Sequence, residues 1–109
     1  MNVREMVTIR PMAGETVKLS EFMLKHDLKM EIMERPKRSW RGNDRYYAHF
    51  VGCEVMDDGF LASASGNGDT PEAAVHDYCC EIEGQRICID AMKPTRKEIE
   101  APNVFEVDW

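Results

Sequence analysis

The stretch Phe60–Gly84, FLASASGNGDTPEAAVHDYCCEIEG, decides how this 109-residue chain is read. It reads as a strand over Phe60–Ser65, a Gly66-Asn67-Gly68 turn, a helix opened by Thr70-Pro71-Glu72, and a glycine stop at Gly84. Thr70 is a preferred N-cap, Pro71 suits the first helical position and Glu72 complements the helix dipole. Ala74, Val75, Tyr78, Cys79 and Ile82 then fall on one stripe that can pack on a sheet. A helix start reached through small residues is a place to hold phosphate, and equally a mere connector. Here Asp69 and Glu72 put negative charge where an anion would sit. The turn is therefore expected to form one wall of a pocket, with Asn67 touching a ligand and arginines from elsewhere holding its phosphates.

Working outward, SEFMLKHDL from Ser20 reads as a short helix with Ser20 as N-cap. Lys29–Glu34 alternates charged and apolar residues and reads as a strand closed by Pro36. Tyr46–Met56, YYAHFVGCEVM, is the longest strand, with Gly52 a candidate bulge. Asp57-Asp58-Gly59 is a hairpin signal that returns the chain into Phe60–Ser65. After the helix, Arg86–Met92 reads as a strand with Ile87 and Ile89 on one face and Cys88 on the other. Lys97–Glu100 adds a last short strand. The order α-β-β-β-α-β-β implies an α+β fold, one antiparallel sheet flanked by two helices. Residues 1–18 are an N-terminal extension of ambiguous structure, and 103–109 a C-terminal tail.

The length fits one domain, and 43% hydrophobic residues are enough for a core. Met1–Pro11 lacks the long apolar run of a signal peptide or membrane span, so the expected location is cytoplasmic. Cys53, Cys79, Cys80 and Cys88 match no zinc spacing. Adjacent Cys79 and Cys80 point about 100° apart on a helix, and the cysteines are read as small reduced hydrophobes. The net charge of −6 hides a local +4 over Arg35–Arg45, RPKRSWRGNDR, which leaves −10 for the rest. An acidic protein repels a nucleic-acid backbone, but a local basic patch suits a small anion.

No catalytic constellation stands out. His26, His49 and His76 are scattered, the Ser63/Ser65 pair lacks a nucleophile elbow, and Asp57 and Asp58 are explained by the turn. The chain is read as a binding protein that uses neither a cofactor nor a metal. Arg35, Arg41, Arg45, Arg86 and Arg96 offer forked donors that suit phosphate. Trp40, Tyr46, Tyr47 and Phe60 offer faces for stacking. Each has an ordinary alternative, since strand aromatics are usually core and arginines usually solvated. Trp40 among neighbouring basic residues needs some partner, inside the chain or outside it.

Two resemblances follow. YYAHF…GDTPEAAVHDYCCEI resembles HicB-type antitoxins, a Tyr-x-Ala-x-Phe strand followed by a Gly-x-Thr-x-Glu-Ala helix, over about a third of the chain. The Pro-Gly-Cys turn and DNA-binding module of that family are absent. LSEFMLKHDLKMEIMERP, RYYAHFVGCEV, GFLASASGNGDTPEAAVHDY, IEGQRI and TRKEIEAP together are similar to phage anti-Thoeris sponge proteins, over about three quarters of the chain. That resemblance implies sequestration, without cleavage, of a cyclic ADP-ribose-type immune signal by a homo-oligomer, a dimer or larger. It implies ligand contacts at Phe60, Asn67, Arg86 and Arg96; the basic arm adds Arg35, Arg45 and Tyr46. The extension before Leu19 and the basic 35–45 loop depart from the family pattern. No nucleic-acid or membrane partner is expected. The double-stranded-RNA-binding fold shares the order α-β-β-β-α, but its second helix opens on lysines whereas this one opens with Asp69 and Glu72. The alternative to the sponge reading is a HicB-like module that binds a protein partner.

Overall fold

The computed structural model describes residues 16–39, 45–57 and 60–108. Trp40, Arg41 and the Asp58-Gly59 turn lie outside the described residues, as do residues 1–15. The elements run β1 (Thr16–Lys18), α1 (Leu19–Lys25), β2 (Met30–Glu34), a 3-10 turn (Lys37–Ser39), β3 (Tyr46–Phe50), β4 (Cys53–Asp57) and β5 (Phe60–Ala62). They continue with β6 (Gly66–Gly68), α2 (Pro71–Ile82), β7 (Arg86–Ile89), β8 (Lys97–Glu100) and β9 (Val104–Glu106). The class is α+β with antiparallel sheets, as expected. The single flanked sheet is not what forms. The strands divide into β2-β3-β6, β5-β4-β7-β8 and a parallel pair β1-β9.

The division arises inside the long strand read over Tyr46–Met56, which breaks at Val51-Gly52. Gly52 takes φ +72, a conformation open to glycine at little cost. There the Val51 N–H donates to the Lys29 carbonyl (2.8 Å) and the Asp90 N–H to the Gly52 carbonyl (2.9 Å). The chain thus leaves the sheet of β2 and enters that of β7. Its return partner breaks too: Phe60–Ser65 is a strand only to Ala62, and the Gly-Asn-Gly segment is strand β6 rather than a turn. Tyr47 stands opposite Asn67 but Val55 opposite Ala62, eight residues on along one strand against five along the other. Three extra residues on the β3–β4 side leave pairing open between the two sheets.

Helix α2 matches the sequence reading closely. The Thr70 side chain accepts from the Ala73 N–H (3.1 Å), and Ala74, Val75, Tyr78, Cys79 and Ile82 are all buried. The helix lies on β3 and β6 across Ala48, Phe50 and the two β6 glycines. Phe50 and Tyr78 meet edge-on at 5.2 Å between centroids.

Helix α1 starts at Leu19, one residue earlier than read, and Ser20 is not its cap. Instead the Asp108 carboxylate accepts from the Ser20 N–H (2.9 Å) and from the Ser20 hydroxyl. These two hydrogen bonds hold the Asp108 carboxyl below its ordinary value of 3.8. The residues read as extension and tail are therefore joined to the domain: β1 pairs with β9, and Phe105 packs edge-on against Phe22 at 5.2 Å. Asp108→Ala is expected to lower the thermal midpoint at neutral pH. Because the folded pKa is depressed, that contribution is present above 3.8 and is lost as pH falls below it, so the gap between variant and parent should close in acid.

All four cysteines are free thiols. Burial pushes Cys53 up to about 11 and Cys79 up to about 12, from an ordinary 9.0. A thiol kept neutral by folding ionises first in the unfolded chain. Stability should therefore hold below pH 9 and decline as pH rises from 9 towards 12, with Tyr78, also raised by burial, adding to the loss above pH 10. Urea denaturation midpoints at pH 8, 10 and 11 check this; an unchanged midpoint at pH 11 contradicts it.

Candidate functional site

Side chains alternate faces along a strand, and residues paired across strands share a face. Ala48, Phe50, Gly66 and Gly68 face α2, which places Tyr47, His49 and Asn67 on the opposite face of β2-β3-β6. In the other sheet Cys53 and Val55 face the core, which places Glu54 and Met56 on the outer side. The same alternation carries through Leu61, Ser63, Ser65 and Asn67. A cleft of about 510 Å³ lies on this outer face where the pairing opens. Tyr47 and His49 form one wall, and Gly52, Cys53 and Glu54 its floor. Ser63–Ser65 and the Asp90–Lys93 turn close the other sides.

Tyr47 and His49 stack, with centroids 6.2 Å apart and planes 13° from parallel. His49 Nδ1 lies 3.0 Å from the Phe50 carbonyl oxygen, so the proton belongs on Nδ1, and Nε2 sits 3.7 Å from Glu31 Oε1. Arg35 extends the row: its guanidinium carbon is 4.7 Å from the Tyr47 centroid. Its Nη2 donates to Asn67 Oδ1 (2.6 Å), and the Asn67 N–H donates to Asp77 Oδ2 on α2 (2.7 Å). On the far side Asp90 is occupied as a turn former, accepting from the Thr95 hydroxyl (3.0 Å) with its own φ at +53. Cys53, held neutral by burial and then by the nearby Asp90 charge, is a thiol rather than a thiolate nucleophile.

The seven residues named from sequence do not converge on one point. Arg35 and Asn67 do meet, at the Tyr47 end of the cleft. Tyr46 faces the helix side of the sheet, where its ring lies under the Arg45 guanidinium (5.1 Å) and Arg45 pairs with Glu34 (3.4 Å). Arg86 shares the outer face but lies beyond the cleft, paired with Glu98 (3.7 Å) and Glu100 (3.4 Å). Arg96 pairs with Glu98 (3.8 Å). Phe60 stands at the end of β5 on the other face of that sheet, 78% exposed. Among the described residues no group of His, Cys, Asp and Glu is placed to hold a metal ion.

The cleft instead uses residues that sequence reasoning passed over: His49, Glu54, Ser63, Ser65 and Lys93. Their signal was period-two alternation on both arms of the hairpin, Tyr47/His49 against Ser63/Ser65/Asn67. What hid it was the three-residue register shift, which no local pattern announces. No helix among the described residues is long and apolar enough to cross a membrane. Compared with family models, curated proteins and solved structures, the chain finds no match in any of them, so it is assigned to no family.

Proposed function

We propose that this chain is a non-catalytic binding protein that sequesters a small cyclic nucleotide of the cyclic ADP-ribose type, as its resemblance to phage sponge proteins implies. The observation that supports this best is the cleft. Its volume of about 510 Å³ lies within the roughly 300–1,000 Å³ of small-molecule sites. A stacked aromatic pair on one wall suits a nucleobase, and serine hydroxyls opposite suit ribose. Phosphate is the weaker part of the fit. Lys93 is at hand, but Arg86 and Arg96 would have to leave Glu98 or Glu100 to reach a ligand.

Titration calorimetry with cyclic ADP-ribose isomers tests the proposal; absence of heat with all of them would sink it and leave the protein-partner reading. Ligand recovered intact after denaturing the complex would establish sequestration over turnover. Tyr47→Ala should weaken binding by about 1–3 kcal/mol, the usual worth of one base stacked on an aromatic ring. Arg96→Ala should change affinity less than twofold or so, since an exposed ion pair outside the cleft contributes little.

A further inference from the structure

Four half-buried carboxylates line or flank the sheets among the described residues: Glu54, Asp77, Glu83 and Asp90. Three are satisfied within the chain. Asp77 accepts from the Asn67 N–H, Glu83 from the Phe105 N–H (2.7 Å) and Asp90 from the Thr95 hydroxyl. The Glu54 side chain makes no hydrogen bond or ion pair to any described residue. It sits at the floor of the cleft, on the same face as Tyr47, His49, Ser63 and Ser65 by strand alternation. Its carboxylate, half-buried and taken up by no donor of the described chain, is open to accept a hydrogen bond from a molecule in the cleft. Lys93, on the opposite turn, likewise pairs with no carboxylate among the described residues. The cleft thus offers a planar wall, one acceptor of charge-assisted hydrogen bonds, and one cation at its edge.

Resting on the binding function proposed above, we infer that Glu54 reads the base: its carboxylate accepts an N–H from the exocyclic amino group of a nucleobase stacked on the Tyr47–His49 wall. The ligand therefore carries an amino-bearing base, with its phosphates turned towards Lys93. A base that presents a carbonyl oxygen in place of the amino group sets two acceptors against each other, and binding is penalised. This assigns selectivity to a residue that no motif marks.

Cyclic ADP-ribose and its hypoxanthine counterpart, cyclic inosine diphosphate ribose, differ by that substitution and are the probes. The parent protein should prefer the adenine form by roughly tenfold to a hundredfold, the usual effect of a hydrogen bond to a charged group. Glu54→Ala should abolish the preference, weakening the adenine form and relieving the penalty on the hypoxanthine form. Glu54→Gln, whose amide can serve either base edge, should narrow it while keeping the strand and its packing. Lys93→Ala should weaken both ligands equally. Equal affinity of the parent for the two forms overturns the base readout while the sequestration reading stands. So does an equal loss of both in Glu54→Ala, which would put Glu54 on a ribose hydroxyl. Heat from neither ligand overturns the sequestration reading itself.

Discussion

Gly66→Ala should unfold this protein more than a methyl group added at any other described glycine. A Cβ at Gly66 would sit 2.1 Å from the Tyr78 amide nitrogen and 2.2 Å from the Ala74 carbonyl oxygen. Both are backbone atoms in the middle of α2, so no side chain can rotate to make room. Either the helix lifts off β6 and β3, or β6 leaves β3. Overpacking in cores commonly costs about 1–3 kcal/mol, and two backbone collisions place this case at about 3 kcal/mol or more. Against a total of roughly 5–15 kcal/mol for a domain, that is a large share. Thermal unfolding should shift downward by about 10 °C or more. Gly68→Ala, whose Cβ would meet the Ala74 amide nitrogen at 2.5 Å and the Ala73 side chain at 2.6 Å, should follow with a smaller loss. A Gly66→Ala protein with parental stability would show that α2 does not rest on β6 as described.

Phe50→Ala should cost about 3–5 kcal/mol, the usual range for removing a fully buried aromatic ring. Phe50 is 0% exposed and stands where three elements meet. Its ring packs edge-on against Tyr78 of α2 and lies 6.1 Å from Phe22 of α1. Phe22 in turn touches Phe105 of β9, so one aromatic chain ties both helices and both ends of the described chain to β3. Denaturant titration followed by circular dichroism measures the loss directly. A cost below about 1.5 kcal/mol would mean that the site relaxes into the void and that the aromatic chain is not the link between layers. His49 and Tyr47 lie on the opposite face of the same strand, so under the proposed binding function partial loss of affinity should accompany the loss of stability.

The clearest successes of sequence reading are local. Thr70-Pro71-Glu72 announces α2 because capping chemistry and proline geometry act within one turn. The buried stripe from Ala74 to Ile82 follows from helical periodicity alone. Strands β2 and β7 were legible for the same reason, since alternation needs only neighbouring residues. Ser20 shows the limit. It has the chemistry of an N-cap, but its hydroxyl is held by Asp108, eighty-eight residues away, and nothing near either residue foretells that pairing. The arginines show it again. Arg45 and Arg86 read as phosphate donors, yet strand pairing brings a carboxylate alongside each, and Arg96 meets Glu98 only two residues on in the chain.

The opening segment Phe60–Gly84 divides along the same line. Composition and short-range pattern alone determined that a strand and a capped helix flank a glycine-rich link, and that the whole is α+β. Only the tertiary structure decided that the link is a strand whose glycines let a helix backbone rest against it, with Asn67 turned to the other face to hold Arg35. Only it decided that the long hairpin opens between two sheets and so makes a cleft. The physical reason is range: caps, turns and periodicity are settled by atoms a few residues apart. Close approach and register are settled by which distant surfaces exclude water together, and a side chain that glycine lacks leaves no mark in a sequence except its absence.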